Sequence, residues 1–339
     1  MKFLILDSKD PYRNLAIEEY LFSHTEDDVF MLWQNEPTVV IGKNQNPYVE
    51  LDLAMAEAKG IHIARRITGG GAVYHDLGNV NYSYLSTKGE GDGIDFAPFT
   101  APILAALGAL GIQATLSGRN DLLVGEQKFS GNAQHRSGDR VLHHGTLLFD
   151  SDLTVLDQIL QVDEEKLRAR AIRSARARVT NLKPLLPVPC DTAAFITLLA
   201  SFVQATYHTE TIPCPEDPEI DALTARNASR EWLFPDRALL SGYERRVKRR
   251  YPFGTVEISL DMMGDTIRRA AIRGDFFGTA SVADLENALA GLPLSQVSQR
   301  LATLDVGAYV FGMDHEMLSA LLLQDALGET FLRGCPRGQ

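Results

Sequence analysis

Apolar and polar positions recur with two different periods along this chain of 339 residues. The helical period is clearest at Pro11–His24, where Leu15 and Leu21 mark an apolar side and Pro11 suits a first helical turn. Short β-rich runs surround this segment, and strands and helices follow one another without strict alternation. This order predicts an α+β fold, with a sheet carrying helices on its faces, rather than a doubly wound parallel sheet. The predicted strands lie at residues 3–6, 29–33, 38–42, 61–66, 72–75, 80–86, 112–117, 121–124, 127–134 and 141–149, and the further helices at 51–59, 98–110, 153–160 and 191–207.

The chain changes character at a segment that combines turn-forming and basic residues. This segment predicts a linker at about residues 236–250, between a first domain of residues 1–240 and a smaller α+β domain of residues 250–339. The elements predicted in the second domain are strands at 254–260 and 266–273 and helices near 281–290, 294–303 and 314–326.

Charge and composition narrow the classes of function. Lysine and arginine number 33 and aspartate and glutamate 44, a formal charge of −11, and 45% of the residues are hydrophobic. This balance is typical of a globular protein and argues against one that coats nucleic acid or anionic lipid. The three cysteines form no CxxC pair and indicate reduced thiols in a cytoplasmic protein. Neither Met1–Asp7 nor Ala193–Ala205, which polar residues interrupt, fits a signal peptide or a membrane span.

The glycine-rich segment Arg65–Asn79 is the most unusual part of the chain. Gly69–Gly71 leave main-chain N–H groups without Cβ atoms, so the backbone can close on a ligand and donate to its oxygens. Arg65 and Arg66 stand just before the glycines and could clamp a carboxylate or a phosphate. A strand follows, and no Gly-Lys-Ser/Thr is present, so this is neither a Walker loop nor a dinucleotide-binding fingerprint. A glycine-rich bulge between two strands is the structural alternative.

Lys128 stands out in the segment Gly118–Ala133, where it follows a predicted hairpin turn. On a strand it would share a face with Ser130. A lysine held beside small residues can stabilise negative charge that develops on a phosphate or a carboxyl oxygen, whereas a solvated strand lysine is the alternative. Asp121 could bind a metal through phosphates or could simply end the turn.

Two further segments carry candidate chemistry. His143 and His144 are neighbours on a predicted strand, so they face opposite ways and cannot hold one ion together, but one of them can face a pocket. The segment Lys166–Arg178 places one lysine and five arginines within thirteen residues. It could be a solvated helix face, a mobile cover over a nucleotide or a landing patch for an acidic partner.

Taken together, these segments resemble the motifs of the lipoate–protein ligases. The family's RRxxGGGAVxHDxGN loop, GRNDL…KxSG(N/S)A hairpin, HHGTLL strand and RVTNL element correspond, in order, to Arg65–Asn79, Gly118–Ala133, His143–Leu148 and Arg178–Leu182. The resemblance covers nearly all of residues 1–185 and extends more loosely to the second domain. It implies a large biotin/lipoate-ligase-like catalytic domain with a mixed, largely antiparallel sheet, and a smaller α+β accessory domain at the C-terminal end.

The resemblance implies an ATP-dependent ligase that acts in two half-reactions. Lipoate and ATP with Mg2+ first give lipoyl-adenylate and pyrophosphate, and the ε-amine of an acceptor lysine then attacks this mixed anhydride and releases AMP. ATP is a substrate, and no tightly bound organic cofactor is expected. The implied partners are lipoate, with octanoate as an alternative acid, and lipoyl-accepting proteins such as the glycine cleavage H protein and the E2 lipoyl domains of 2-oxo-acid dehydrogenases. A cytoplasmic monomer without nucleic-acid or membrane partners is expected.

The resemblance also assigns roles to individual residues. Lys128 would be the catalytic lysine, in contact with both the acyl carbonyl and the phosphate, and Asp121 a candidate ligand of Mg2+. Residues 162–180 would form a loop that closes over the adenylate. The residues expected to bind ATP or lipoyl-adenylate are Arg66, Gly70, Gly71, Ala72, Val73, Tyr74, Asn79, Lys128 and Arg178. The residues expected to bind lipoate are Trp33, Ile41, Arg66, Gly71, Lys128 and His144.

Three points stay open in the sequence. Where some family members carry an arginine after the SGxA motif, this chain has Gln134-His135-Arg136, so either Arg136 or the proposed loop would supply the charge. An ATP-independent octanoyl or lipoyl transferase of the same fold would need a cysteine near Lys128, whereas the three cysteines lie beyond the motifs. A non-catalytic protein that binds lipoyl domains would have no need of the two cations and the glycine-rich loop together.

Overall fold

A computed structural model of the chain describes residues 1–87, 94–118, 120–160, 179–234 and 242–324, without the side chains of residues 156 and 157. Arg178, Cys335 and residues 162–178 of the proposed loop lie outside the described residues. The chain divides into two compact units, residues 1–236 and 237–339. The limits of 1–240 and 250–339 drawn from the sequence stay a prediction.

Eleven strands in the described part of the first unit form two sheets. The strands are β1 (Lys2–Ile5), β2 (Val29–Trp33), β3 (Thr38–Ile41), β4 (His62–Arg65), β5 (Val73–His75), β6 (Asn79–Ser86), β7 (Thr115–Ser117), β8 (Asp121–Val124), β9 (Gln127–Ser137), β10 (Arg140–Leu148) and β11 (Glu210–Thr211). The large sheet has the order β11-β1-β2-β6-β10-β9-β8-β7, and the small sheet the order β4-β3-β5. In the large sheet β1 runs parallel to β11 and β2, and the other neighbours are antiparallel. This is the mixed, largely antiparallel sheet that the resemblance implied.

Helices cover both faces of the large sheet. The helices of the first unit within the described residues are α1 (Pro11–His24), α2 (Pro47–Glu50), α3 (Leu53–Ala58), α4 (Ala97–Ala109), α5 (Val155–Ile159), α6 (Thr192–Tyr207), α7 (Pro218–Ala228) and α8 (Arg230–Leu233). The start of α1 agrees with the prediction, because Asp10 caps it and accepts the N–H groups of Tyr12 and Arg13 at 2.8 and 3.3 Å. On one face of the sheet, α4 and α6 pack on a core that includes Phe30, and on the other α1 and α7 pack on a core that includes Met31.

The small sheet has a separate core on one of its faces. Val39 and Ile41 of β3 pack there with residues of α3 and α5. Val40, between them, belongs instead to the core beneath α1. Since neighbouring strand residues point to opposite faces, β3 divides its apolar side chains between two cores.

The second unit is a three-stranded antiparallel sheet, of β12 (Arg245–Tyr251), β13 (Gly254–Met263) and β14 (Thr266–Gly274). Its helices share one core with the sheet, and these are α9 (Val282–Leu289), α10 (Leu294–Leu301), α11 (Val306–Tyr309) and α12 (His315–Leu323). The prediction of a linker is wrong from residue 245 onward. Val247 and Tyr251 pack against the core, so the basic run has one apolar face and pairs as a strand. None of the helices within the described ranges has the length and apolar character of a membrane span.

Candidate active site

A cleft of about 100 Å³ opens between the small sheet and the α1 face of the large sheet. Its walls come from α1, β2 and β3 and the glycine-rich segment on one side, and from β6, β9 and β10 on the other. The cleft brings together eight of the residues that the sequence predicted for the site. These are Trp33, Arg66, Gly70, Gly71, Ala72, Val73, Lys128 and His144.

Arg66 is a buried cation at the end of the small sheet, with 5% of its surface exposed. Its Nε donates to Thr68 Oγ1 at 2.9 Å, and its Nη1 to the carbonyl of Val40 at 3.1 Å. Its Nη2 donates to the carbonyls of Gly69 and Gly71 at 2.7 and 2.8 Å. Burial lowers the pKa of Arg66 to about 10, which still leaves it charged at neutral pH. Arg66 therefore presents a positive charge whose position the main chain fixes.

Arg65 has a different role from its neighbour, although the sequence suggested that both could clamp an anion. Its Nη1 donates to three carbonyls in the loop of residues 42–45, at 2.8 to 3.2 Å. Its Nε and Nη2 donate to the carbonyls of Trp232 and Leu233, and Trp232 Nε1 donates back to the Arg65 carbonyl at 3.0 Å. Arg65 does not line the cleft. It joins the small sheet to α8.

A buried polar chain continues from Arg66 behind the cleft. Thr68 Oγ1, which accepts from Arg66, lies 2.9 Å from His144 Nε2. His144 Nδ1 lies 3.0 Å from both carboxylate oxygens of Glu18, a residue that is 1% exposed. Sequence analysis gave Glu18 no role. The signal that could have found it is a carboxylate among the apolar positions of α1.

Trp33 joins the same chain from the apolar wall of the cleft. Its Nε1 donates to Ser83 Oγ at 2.9 Å, and Ser83 Oγ donates to Glu18 Oε1. The indole of Trp33 also meets the ring of His75 edge to face, with centroids 5.9 Å apart. Trp33 is thus held in one orientation by a hydrogen bond and a ring contact.

The two neighbouring histidines lie on opposite faces of β10, as the alternation of strand residues required. His144 lines the cleft, whereas His143 is fully buried and stacks on Phe99 with centroids 5.4 Å apart. His143 Nε2 lies 3.1 Å from the hydroxyl of Tyr82. Burial holds the pKa of His143 well below its usual range, so this ring stays neutral inside the core.

Lys128 approaches the cleft from the β8–β9 hairpin and is half-buried. Its Nζ lies 2.7 Å from Asp121 Oδ1, and its carbonyl accepts the N–H of Thr180 at 2.9 Å. Phe129, the next residue, packs in the large core. Gly131 leaves room for the lysine, because a Cβ at that position would lie 3.0 Å from Nζ. Lys128 is therefore a less constrained cation than Arg66.

Two residues predicted for the site point away from the cleft. Ile41 and Tyr74 belong to the separate core of the small sheet, with α3 and α5. Their strand neighbours Val40 and Val73 line the cleft instead. A strand that is apolar on both faces carries no sign of which face meets a ligand, so the roles of Ile41 and Tyr74 at the site stay a prediction.

Asn79 also lies behind the cleft, where its Nδ2 donates to Asn81 Oδ1 at 2.8 Å. Asn81 lines the cleft, and its Nδ2 and that of Asn35 lie 3.4 and 3.0 Å from His75 Nδ1. Burial lowers the pKa of His75 to about 3, so the ring is neutral, and an Nδ1 that accepts leaves the proton on Nε2. That buried Nε2 has no partner among the described residues. It lies in a residue of the cleft wall and can donate to a bound molecule.

The structure places His135 and Arg136 outside the cleft wall. The ring of His135 packs at 5.4 Å from that of Phe22, and Arg136 Nε donates to the carbonyl of Gly138 at 2.8 Å. Neither residue is therefore placed to replace the arginine that some family members carry after the SGxA motif.

Asp121 is the carboxylate nearest to Lys128 and the only metal ligand that the sequence suggested. Among the described residues, no three histidine, cysteine, aspartate or glutamate side chains are grouped so as to hold a metal ion. The carboxylate of Asp121 forms an ion pair with Lys128 instead. A divalent ion at this point would need most of its ligands from a bound phosphate compound or from water.

The two units match two family models. Residues 10–204 match the lipoyl protein ligase A/B catalytic domain, and residues 241–322 match the bacterial lipoate protein ligase C-terminus. The lipoate-protein ligase LplJ of Bacillus subtilis is 38% identical over 83% of this chain and 87% of its own length. The chain belongs to the lipoate–protein ligase family. Lipoate–protein ligase 1 of Staphylococcus aureus is 36% identical over 94% of this chain and 99% of its own length.

Solved structures of lipoate–protein ligases share the fold. P. falciparum LipL1 in complex with lipoate covers 96% of this chain, with all of its own chain aligned, at a TM-score of 0.78 and 23% identity. A lipoate-protein ligase A bound with ATP covers 68% of this chain and 97% of its own, at a TM-score of 0.56 and 25% identity. A structure from a study of the bipartite lipoate protein ligase of Thermoplasma acidophilum and its E2 lipoyl domain covers 68% of this chain and 95% of its own, at a TM-score of 0.58 and 27% identity. The α7–α8 segment of this chain lies between the two family-model matches.

Proposed function

We propose that this chain activates lipoate with ATP and transfers the lipoyl group to a lysine of an acceptor protein. The observation that carries the proposal is that Arg66 and Lys128, which come from two different sheets, line one cleft together with the glycine-rich segment. A binding protein for an acyl chain would need the apolar wall alone. Two cations and open main-chain N–H groups are suited to an acid that reacts with a phosphate.

In the first half-reaction, a carboxylate oxygen of lipoate attacks the α-phosphorus of ATP. The bond from that phosphorus to the bridging oxygen breaks, and pyrophosphate leaves. Arg66 lies at a fixed point of the cleft and would orient the carboxylate against the phosphate. The glycine-rich segment would bring its main chain close to the nucleotide, because no Cβ stands between them.

In the second half-reaction, the ε-amine of the acceptor lysine attacks the acyl carbon, loses a proton and expels AMP. Negative charge then develops on the acyl carbonyl oxygen rather than on the leaving pyrophosphate. Lys128 is half-buried and constrained by one ion pair, so its ammonium could reach either group. The apolar wall of Leu15, Trp33 and Val40 would hold the acyl chain away from the reacting end.

Mg2+ is part of the proposal as the ion that accompanies ATP and offsets the charge of its phosphates. Asp121 supplies one carboxylate near Lys128, and no cluster of protein ligands surrounds it in the described residues. This fits a magnesium ion that phosphates and water coordinate, rather than a site built by the protein alone.

The acceptors we propose are lipoyl domains, which include the glycine cleavage H protein and the E2 subunits of 2-oxo-acid dehydrogenases. Support comes from the names of the relatives and from the Thermoplasma acidophilum study, which describes a bipartite lipoate protein ligase and its E2 lipoyl domain. A cytoplasmic, monomeric enzyme completes the proposal.

The test is to incubate the protein with lipoate and ATP–Mg2+, and to measure pyrophosphate release and the mass of added H protein or E2 lipoyl domain. We expect pyrophosphate with lipoate alone and a lipoyl mass increase once acceptor is present. Parallel reactions without ATP, and with octanoate in place of lipoate, are the controls. A mass increase without ATP, or no pyrophosphate in any reaction, contradicts the proposal.

The positions of the described cysteines argue against the transferase alternative. Cys190 packs at the edge of the large core, and Cys214 is exposed with its Sγ at 3.8 Å from the Pro215 carbonyl. Neither lines the cleft. We expect Cys190→Ala to keep the wild-type rate of acceptor modification. Loss of that activity in a variant with an unchanged thermal unfolding midpoint would instead indicate a covalent acyl-cysteine mechanism.

A further inference from the structure

The net charge of the chain is divided unevenly between its two units. Residues 1–236 contain 21 lysines and arginines against 32 aspartates and glutamates, and residues 237–339 contain 12 of each. The whole excess of −11 therefore belongs to the first unit. Within the balanced second unit the cations are concentrated, because β12 has five of them and no acid in seven residues.

The register of β12 directs three of these cations to one face of the sheet. Val247 and Tyr251 pack against the core that the helices cover. Arg246, Lys248 and Arg250 alternate with them, so they lie on the opposite face, and all three are exposed. We call these three residues the basic face.

The strand beside the basic face carries one acid at the paired positions. The residues of β13 paired with Arg250, Lys248 and Arg246 are Thr255, Glu257 and Ser259. Arg246 Nε lies 3.5 Å from the Glu257 carboxylate, and Arg250 Nη1 donates to the hydroxyl of Thr255 at 3.4 Å. Among these six paired residues, three cations stand against one carboxylate.

Further along the same face, the sheet shows how its arginines bind a carboxylate. Asp261 of β13 accepts from Arg268 at 2.6 Å and from Arg269 at 2.8 Å. The hydrogen bond from Arg268 is the largest cause that lowers the pKa of Asp261. Arginines on this surface are therefore placed to bind carboxylates, which arginine prefers as partners.

Protection of an exposed strand edge does not account for five cations. β12 is an edge strand of its sheet, and charged side chains on edge strands prevent pairing with other chains. One or two charges or a proline serve that purpose, and they need not lie on one face. The three cations of the exposed face follow one another along roughly 13 Å of strand, at about 3.3 Å per residue.

We propose that the basic face binds an acidic surface of the acyl-accepting protein, an inference that rests on the proposed function. The first unit carries the net charge of −11, which disfavours the approach of an acidic surface, whereas the cations of the basic face favour it. Such a face would raise the rate of encounter more than it raises the affinity of the final complex. The acidic balance of the whole chain disfavours a nucleic acid as the occupant.

The experiment reverses the charge of the basic face in the full-length protein. In the variant Arg246→Glu/Lys248→Glu/Arg250→Glu, we expect the KM for an apo E2 lipoyl domain to rise by about tenfold or more at low salt, because attraction becomes repulsion. Pyrophosphate release with lipoate and ATP–Mg2+ should be unchanged. The wild-type KM should rise with salt while that of the variant does not.

A matched control reverses three exposed cations on other elements. The variant Lys59→Glu/Arg230→Glu/Arg300→Glu has the same net charge and should leave the KM for the acceptor within about twofold of the wild-type value, since these positions lie outside the basic face. If the first variant does not fold, Arg246→Gln/Lys248→Gln replaces it, with an expected rise of about threefold.

Three results would overturn the inference. The first is an unchanged KM for the acceptor in the basic-face variant, and the second is an equal rise of that KM in the control variant. The third is a basic-face variant that loses binding to a single-stranded oligonucleotide while its binding to the acceptor is unchanged. The dissociation constant of the acceptor for the wild-type protein and for the basic-face variant is also measured without ATP or lipoate. This measurement tests the docking surface independently of the reaction. Absence of pyrophosphate with the wild-type protein would reject the proposed function, whereas acceptor binding that depends on the basic face would still be observed.

Discussion

The two walls of the cleft present their cations in contrasting ways. On the wall formed by residues 66–75, Arg66 gives four hydrogen bonds, three of them to main-chain carbonyls. On the wall formed by residues 120–146, Lys128 has one ion pair and a side chain that is 34% exposed. The backbone of the first wall is also closely packed, since a Cβ on Gly42 would lie 2.1 Å from the Gly70 carbonyl oxygen.

The difference suits the two half-reactions. A cation that the main chain holds in place can orient a carboxylate and a phosphate without rearranging. A cation with one counter-ion and room beside it can follow the negative charge from the phosphate to the acyl carbonyl. We infer that Arg66 supplies fixed geometry and Lys128 supplies adjustable charge. The predictions below test this division, from the largest expected effect to the smallest.

Removal of the Lys128 ammonium should lower the rate of acceptor modification more than any other change considered. In Lys128→Ala, we expect acceptor modification to fall by about three orders of magnitude, because no other described cation on that wall lines the cleft. The thermal midpoint should change little, because the side chain is half-buried. The measurement is the mass of the acceptor over time, with Lys183→Ala as a control lysine that pairs with Asp150 at the surface. A near wild-type rate would show that the central charge has been assigned to the wrong residue.

Replacement of the fixed cation should damage both activity and stability. Arg66→Lys keeps the charge but cannot reach Thr68, Val40 and two glycine carbonyls at once. We expect pyrophosphate release to fall by about a hundredfold and the free energy of unfolding by about 2 kcal/mol, because buried carbonyls lose their donors. Denaturant titration and a pyrophosphate assay give the two values. Wild-type stability would mean that this wall is not held by Arg66.

A methyl group at Gly131 should restrict the adjustable lysine. Its Cβ would lie 3.0 Å from Lys128 Nζ and 3.2 Å from Cε, and the long side chain can move aside. We therefore expect Gly131→Ala to lower the rate of acyl transfer by about tenfold, with a stability change within about 1 kcal/mol. Gly108→Ala is the matched control, because nothing lies within 4 Å of its Cβ position. Equal activity in both variants would indicate that Lys128 needs no space beside Gly131.

The counter-ion should have the smallest effect. Asp121→Asn removes the charge that pairs with Lys128, and we expect a change of about two- to fivefold in the rate. A titration of Mg2+ distinguishes the two roles considered for Asp121. A shift in the Mg2+ requirement indicates a ligand of the ion, and an unshifted requirement indicates an ion-pair partner only.

The motifs combine residue types that rarely serve another purpose together. Gly70 and Gly71, the neighbouring Arg66 and the strand residue Lys128 all line the cleft. The side chain of Ile41 packs in the core of the small sheet because Thr38–Ile41 is buried on both faces, so the sequence alone does not fix which of these residues line the cleft.

Other differences between expectation and structure have equally physical causes. The helix α7 was not predicted, since few of its residues, such as Ile220, are apolar and buried. The strand β12 was assigned to a linker because cations on both faces conceal its alternation. Glu18 received no role because hydrogen bonds to His144 and Ser83, which no sequence pattern shows, make its burial possible.

The reciprocal contacts of Arg65 with Trp232 and Leu233 bear on how this polypeptide could be divided into two separately expressed pieces. The first family-model match ends at residue 204, before α7 and α8. A cut there would remove the two carbonyls of Trp232 and Leu233 to which Arg65 donates, directly beside Arg66 of the cleft. A boundary after Phe234 keeps α7 and α8 with the piece that contains the cleft.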